Sequence, residues 1–444
     1  MWHVPHFEKM LYDQAQLVMA YSAAFSITKE EKYKEVVDDI LLYVRRDMTH
    51  SSGAFFAAED ADSLPMENAA EKKEGAFCVW NWEELMSLLN DKVQGEITLA
   101  DIVAHEYNLK PGGNVDPRGD PHGELKNQNV LTKIPSKSLP LSDLNQYNKA
   151  LEDAKKILFS ERLKRPRPGL DIKIVTSWNS LMISGLCRAA AVTQSEDYTT
   201  AALRAGHFVM ETLWSGQRRR LLRCVYGAGK QITQLEAPID GFVDDYCMTV
   251  EAMLDLYRLT LDDTWLAHAQ DLQEVQDELF LDKEKGGYFI SREGDEEIVL
   301  RLKDDQDGAE PCSNSVSAMN LIRLGRILNN MSFLEKGENI IKLYSKRLDQ
   351  MPHALPAMLE AYLHLHQAEP LVVITGATAG HPVLRQLHTH HMPSHDIISV
   401  GHLTKSGHPA LARADIETRQ GAYILRDGTL SEFVDTVEKF VELL

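Results

Sequence analysis

Apolar residues recur near the start of the chain at helical spacing. Phe7, Leu11, Val18, Tyr21 and Phe25 would share one face, which predicts an amphipathic helix ending near Ile27. Thr28-Lys29-Glu30-Glu31 has the form of a capping box, in which a hydroxyl and a carboxylate satisfy free backbone N–H groups, so a second helix is expected to about Met48. The same punctuation returns at Thr193 to Glu196, more weakly at Asp262 and Asp263, and at Ser332 to Glu335. The helices before these turns are strongly patterned, with Ile239, Phe242, Tyr246, Val250, Met253, Tyr257 and Leu261 on one face and Leu321, Leu324, Leu328 and Met331 on another. A repeated hairpin buries such faces by stacking on its neighbours.

Each second helix runs into a Gly-rich or aromatic strand-like piece, at Ser52 to Phe56, Arg220 to Val225 and Gly286 to Ile290. Further helices are expected at about 81–89, 97–107, 142–164, 177–192 and 353–367, which makes an all-α chain of hairpins closing a ring, an α/α toroid short of one helix. Pro111, Pro117 and Pro121 with Gly112 and Gly113 make Pro111 to His122 a long loop. After Glu369 the texture becomes short β-rich runs, 371–374, 397–400 and 422–425, closed by a helix from Ser431 to Leu444. Residues 1–368 are therefore expected to form the toroid and 369–444 a small α/β appendage.

Composition narrows the functional classes. Lys plus Arg number 47 against 66 Asp plus Glu, a net charge of -19 that argues against nucleic-acid and anionic-membrane surfaces. Cys78, Cys187, Cys224, Cys247 and Cys312 are odd in number and form no CxxC pair, so neither a disulfide framework nor a zinc cluster is indicated and a reducing compartment is the simplest reading. No apolar run approaches the roughly 18 to 20 residues of a membrane span. The chain opens on the dense segment Trp2 to Met10 without a lead-in, so Met1 is expected to be an internal start or an artificial edge.

Acids cluster in the loops that precede the first helix of each hairpin: Glu59, Asp60 and Asp62; Glu236, Asp240, Asp244 and Asp245; Asp304, Asp305, Asp307 and Glu310. Hairpins stacked in register would bring these loops to one end of the ring, joined by Arg165, Arg167, Asp171 and Lys173 ahead of Trp178 and Asn179. Carboxylates with aromatic walls suit glycosyl chemistry, in which one acid protonates a leaving oxygen and another activates water or attacks. Acids before helices also cap N-termini and complement the helix dipole, and one per helix needs no other explanation. His3, His6, Glu8, Lys9 and Asp13 form the densest ionisable group, alongside Trp2. His6 and Asp244 are the pair expected to move protons, with Asp60, Asp240 and Asp307 as further catalytic candidates. Trp2, His3, Glu8, Lys9, Asp13, Glu59, Asp62, Arg165, Arg167, Asp171, Trp178, Asn179, Tyr246, Asp304 and Asn314 are candidate substrate contacts. The histidines from His381 to His408, including His388, His390 and His391, fit no ligand spacing and are expected to be solvated, and neither metal nor cofactor is expected.

Four ordered segments carry a resemblance: Trp2 to Asp13; Glu59-Asp60-Ala61-Asp62-Ser63; Arg165-Pro166-Arg167-Pro168 with Thr176-Ser177-Trp178-Asn179; and Asp307-Gly308-Ala309 through Ser313-Asn314-Ser315. Over about residues 2–368 the chain resembles spermatogenesis-associated protein 20 and its bacterial thioredoxin-domain homologues. That resemblance implies an (α/α)6 toroid of the six-hairpin glycosidase type, here incomplete at its N-terminus. It also implies a thioredoxin-like domain ahead of Trp2 in the same chain, an association with sperm development and fertility, and a secreted location for some members. Two functions remain open at this stage. One is a pocket for a sugar or other polyhydroxylated molecule, catalytic or relict, of sugar-epimerase or glycoside-hydrolase kind; the other is a non-enzymatic binding or scaffold module.

Overall fold

The computed structural model describes residues 4–120, 123–133, 140–294, 298–366, 370–378, 380–390, 395–405, 419–426 and 429–443. Helices α1 (Leu11–Thr28) and α2 (Glu31–Asp47) make the first hairpin, and α3 (Trp82–Leu88), α4 (Leu99–Glu106) and α5 (Leu144–Arg162) follow. Three more hairpins come from α6 (Thr176–Thr193) and α7 (Glu196–Phe208), α8 (Val243–Thr260) and α9 (Asp263–Phe280), and α10 (Ser313–Ile327) and α11 (Met331–Gln350). Then come α12 (Pro356–His366), α13 (Pro382–Thr389), α14 (Val400–Lys405) and α15 (Val437–Leu443).

The chain divides into two compact units, Met1–Met10 with Ala58–Asp171, and Leu11–Ala57 with Ile172–Leu444. This boundary lies elsewhere than the expected one at 368/369. Helices α3, α4 and α5 show the same 3.6-residue periodicity as the hairpins, but they bury their apolar faces in a core of their own that includes Trp80, Leu85, Leu89, Ile102, Tyr147 and Leu151. That unit also contains a three-stranded antiparallel sheet of Lys9–Met10, Ala58–Glu59 and Leu170–Asp171. Phe7, expected on the first helix, precedes it and packs instead with Val79, Leu125 and Val130. Its ring also covers Gly75, whose φ of +70° and 2.6 Å clearance to Phe7 leave no room for a Cβ.

In the larger unit the first helices pack side by side, α1 on α6, α6 on α8, α8 on α10 and α10 on α12, and each second helix packs on its own first helix. This is the expected all-α arrangement of stacked hairpins. Helices α6, α8 and α10 are buried almost all round, as helices enclosed on every side must be. Ile239 and Phe242 lie ahead of α8, and Met331 opens α11 instead of extending α10.

The turns follow one design that differs from a capping box. One residue in the left-handed region ends each link, Lys29, Gln194, Leu261 and Asn329, with φ between 51° and 58°. The next residue is the N-cap, and at Ser195, Asp262 and Asn330 its side chain accepts a backbone N–H of the following turn. At the first turn the expected capping box is absent: Glu30 makes no side-chain cap, and the Thr28 hydroxyl donates back to the Ala24 carbonyl at 2.8 Å.

A second repeated device fixes the strand-like pieces. Asn179 accepts the Phe55 N–H (2.7 Å) and donates to the Phe55 carbonyl (3.0 Å) and the Val175 carbonyl (2.9 Å). Asn314 does the same to Tyr288, accepting its N–H at 2.7 Å and donating to its carbonyl at 3.0 Å. On α8 the Tyr246 hydroxyl takes this place and accepts the Leu221 N–H at 2.9 Å. Helices α6, α8 and α10 thereby each clamp the backbone of a loop.

Beyond α12, Leu371–Thr375 pairs in parallel with Ile397–Ser399 and antiparallel with Gly421–Arg426. Leu371, Val373, Ile398, Ile424 and Phe440 belong to the same apolar core as the hairpins. The closing helix is shorter than expected, because Ser431 follows the strand Thr429–Leu430 and its hydroxyl accepts the Ile424 N–H at 2.9 Å.

Candidate functional site

The sequence candidates fall into both units. Trp2, His3, His391 and His408 lie outside the described residues. The smaller unit holds His6, Glu8, Lys9, Glu59, Asp60, Asp62, Arg165, Arg167 and Asp171. His6 and Glu8 are exposed on extended chain, not at a helix start. Glu59 is buried and accepts from Arg167 Nε at 2.9 Å. The N–H of Asp62 and the ammonium of Lys72 both donate to Asp60, and they hold its carboxyl below the usual range. Arg165 is committed to structure. It donates to the carbonyls of Phe77 (3.1 Å) and Val79 (2.6 Å), grips both oxygens of Glu84 (2.9 and 3.0 Å) and stacks 4.0 Å over Trp80.

In the larger unit, several candidates also have structural duties. Asn179, Asn314 and Tyr246 are the backbone clamps just described, each at most 1% exposed. Asp307 accepts the N–H of Cys312 (2.9 Å) and of Ala357 (2.8 Å), tying the starts of α10 and α12 together. Asp240 sits between Arg218 (2.7 Å) and Arg292 (3.1 Å). Histidines expected in solvent are partly enclosed. His381 is 2% exposed, its Nδ1 accepts the Leu384 N–H at the start of α13, and its Nε2 lies 3.1 Å from the Thr375 carbonyl. Burial lowers His388 to about 4, with its Nε2 3.2 Å from the Arg258 carbonyl.

One group does converge, at the N-terminal ends of the first helices. Arg223 donates to both Asp244 and Asp245, the latter at 3.0 Å, and Asp245 also accepts the N–H groups of Ser177 (3.1 Å) and Phe242 (2.9 Å). Two carboxylates share one guanidinium, so burial and the charge of Asp244 push Asp245 up to about 8. Burial, then Asp244, also raises Asp304. Trp178 Nε1 donates to Glu310 at 2.9 Å, and Tyr12 meets Trp178 edge-on at 5.0 Å. Burial raises Glu310 further than the Trp178 bond lowers it, with Asp244, Arg223 and Asp13 contributing to its field. Gln16 donates to the Ala309 carbonyl at 2.7 Å, so α1 and the segment before α10 are tied at this end.

One turn deeper, the first helices enclose a cavity of about 510 Å³, within the range of small-molecule sites. Gln16, Met19 and Ser22 of α1, Arg188 of α6, Glu251 and Asp255 of α8, Ser315, Met319 and Arg323 of α10, and Glu360 of α12 line it, with Leu387, His388 and His390 at the far end. Glu251 and Asp255 are four residues apart on α8, so they share one face about 5–6 Å apart at Cβ. Their surroundings push them in opposite directions. Burial and the charge of Asp255 raise Glu251 to about 7. Burial also opposes ionisation of Asp255, but Arg323, at 2.9 Å, and Arg188 outweigh it and hold that carboxyl below the usual range. Ser22 Oγ and Asp255 Oδ2 are buried on this wall without a hydrogen bond.

Sequence reasoning missed this set. Its members are spread over α1, α6, α8, α10, α12 and α13, and a Glu and an Asp four residues apart look like any solvated helix face. The one usable signal was that both occur within the strongly apolar α8.

No family model matches the sequence. The chain is 42% identical over 373 residues to an uncharacterized protein of Caenorhabditis elegans, covering 82% of this chain and 50% of that protein. It is 41% identical over 384 residues to spermatogenesis-associated protein 20 of Homo sapiens, covering 84% and 49%. The rat protein of that name is 38% identical over 409 residues, covering 89% and 52%. Among solved structures the chain is similar to cellobiose 2-epimerase from Spirochaeta thermophila, with TM-score 0.44, 10% identity and coverage of 79% of this chain and 63% of that one. It is also similar to D-mannose isomerase, with TM-score 0.37, 11% identity and 76% of each chain covered. The chain spans about half the length of the curated relatives it matches. By its sequence, the chain is a homologue of spermatogenesis-associated protein 20.

Proposed function

We propose that this chain is the ring module of a spermatogenesis-associated protein and that its axial cavity takes a polyhydroxylated, sugar-type molecule, with Glu251 as the proton donor and acceptor and Asp255 as the partner carboxylate. The observation that carries this reading is the divergence of two carboxyls one turn apart on a cavity wall, Glu251 raised to about 7 and Asp255 held down. Two acids with separated ionisation behaviour divide acid and base roles between them, and at short separation one can donate a proton while the other stays charged. A group that titrates near neutrality also suits removal and return of a carbon-bound proton, the requirement of an epimerisation. In this reading Asp244, paired with Arg223, sets the charge at the N-terminal end of the cavity and does not move the proton. Trp178 and Tyr12 supply aromatic surface there.

The test is calorimetric binding of a panel of neutral and acidic mono- and disaccharides to the full chain and to an Ala20→Trp variant. Ala20 lines the cavity on the exposed side of α1, so an indole there fills the space without entering the core. Binding of at least one sugar-type ligand, lost in Ala20→Trp, is expected. A panel with no ligand, or binding indifferent to that substitution, would overturn the reading.

A further inference from the structure

The far end of the cavity carries a hydrogen-bond acceptor that neither the fold nor the two acids use. His388, on α13, lines that end together with Leu387. Its Nε2 lies 3.2 Å from the Arg258 carbonyl. A carbonyl oxygen only accepts, so Nε2 must carry the proton, and in a neutral imidazole Nδ1 is then left as a bare lone pair. Burial and the charge of Arg258 outweigh the bond to that carbonyl and lower His388 to about 4, so the ring is neutral at physiological pH. Among the described residues nothing donates to Nδ1. Ser22 Oγ and Asp255 Oδ2 are sealed off without a partner, whereas His388 Nδ1 is accessible. Turning the ring over would give up the bond to Arg258. Helix α13 itself is held in place, since Val383, Leu384 and Leu387 belong to the apolar core of the hairpins and His381 caps its start.

We propose that His388 is a specificity-determining residue of this cavity, whose Nδ1 accepts a hydrogen bond from a hydroxyl of the bound sugar and admits no anionic or carbonyl oxygen at that position. This rests on the sugar-type reading of the cavity and names the end of the ligand that is selected. The selection works by exclusion. A carboxylate, phosphate or carbonyl oxygen would bring a lone pair against a lone pair, and the neutral ring has no second proton to place between them. An ammonium group would donate, but the positive field of Arg258, which lines the same space, opposes it. A hydroxyl donates without charge. A ligand lacking it leaves an enclosed acceptor unpaired, which costs more than the bond itself contributes in water.

The experiment titrates glucose and its four ring-and-arm monodeoxy analogues into the full chain, His388→Gln and His388→Asn, and reads the imidazole tautomer by nitrogen NMR of labelled histidine. One analogue should bind the parent about tenfold or more weaker than glucose, the scale of an acceptor left unpaired. Gln sets its amide nitrogen where Nε2 stands, so it keeps the bond to the Arg258 carbonyl and loses the acceptor. Asn sets its amide oxygen where Nδ1 stands and does the reverse. The difference between glucose and that analogue should therefore vanish in His388→Gln, with a melting temperature close to the parent's, and persist in His388→Asn, whose melting temperature falls. A purely structural histidine gives the opposite order. The unliganded parent should show a neutral ring with its proton on Nε2, assigned by its loss in His388→Gln. A proton on Nδ1, analogues that all bind as tightly as glucose, or a difference undiminished in His388→Gln overturns the inference and leaves the sugar reading standing. Absence of glucose binding overturns the inference as well, and absence of binding by every sugar tested overturns both.

Discussion

Replacing Asn179 by alanine is expected to cost about 2–6 kcal/mol of stability. Its carboxamide is the partner of both the N–H and the carbonyl of Phe55, at 2.7 and 3.0 Å. The neighbouring ladder bonds run through His50 to Ala54 and Phe56 to Met48, so they do not serve Phe55 itself. Alanine would leave two buried backbone groups without partners, at about 1–3 kcal/mol each. Phe55 is 1% exposed, so water does not easily replace the amide. Set against a typical total of about 5–15 kcal/mol, this is a large fraction. Urea unfolding followed by helical circular dichroism should show a lower midpoint with unchanged slope. Asn314→Ala breaks the equivalent clamp on Tyr288 and should lose a similar amount. Asn179→Asp, which keeps an acceptor for the Phe55 N–H and loses the donor, should fall between parent and alanine variant. A midpoint within error of the parent for Asn179→Ala, together with weaker sugar binding, would refute the structural assignment and return Asn179 to the ligand.

Other substitutions test separate parts of the fold. Gly206→Ala should destabilise by about 1–3 kcal/mol, because a Cβ there would stand 2.6 Å from Leu256 Cδ1 and 3.1 Å from the Trp265 ring; a thermal melt reads this. Gln194→Gly should be neutral to slightly stabilising, by up to about 1 kcal/mol, since it relieves a side chain held at φ 57°, whereas Gln194→Val should destabilise. Burial and the charge of Asp255 raise Glu251 to about 7 from an ordinary value of 4.5, so the folded state favours its protonated form. That contribution is fully present below the unfolded value and is lost as pH rises through the folded one. Melts of the parent relative to Glu251→Gln should therefore decline between about pH 4.5 and 7 and run parallel outside that window.

Much of the hairpin repeat was legible because two independent signals coincide, a 3.6-residue apolar period and punctuation by polar residues at the turns. The detailed chemistry of the turns was not. Thr28 and Glu31 match a capping-box pattern, yet the backbone places a left-handed residue between them and the helix begins after Glu30. Periodicity also could not separate α3, α4 and α5 from the ring helices, since an amphipathic face does not disclose which core it meets. Trp178 and Asn179 suggested ligand contact because the charged segment ahead of them was expected to join the acidic loops at one end of the ring. Asn179 instead holds a loop backbone. Arg223 escaped notice because nothing local in the Arg220 to Val225 strand pairs it with Asp244, 21 residues onward. Arg188, Glu251, Asp255 and Arg323 escaped for the same reason across whole helices.

The far wall of the cavity belongs to α13, through Leu387 and His388, and α13 is anchored to the sheet by His381 and to the hairpins by the bond between His388 and the Arg258 carbonyl. The C-terminal sheet is thus a building part of the chamber and not a passenger joined to a finished ring. Expression boundaries drawn before Leu371 would open one side of the chamber and uncover Arg258 to solvent. In a lineage that changed its ligand, substitutions in the chamber wall on α6, α8 and α10 would need matching changes in α13, so the middle and the C-terminal part of the sequence would drift together.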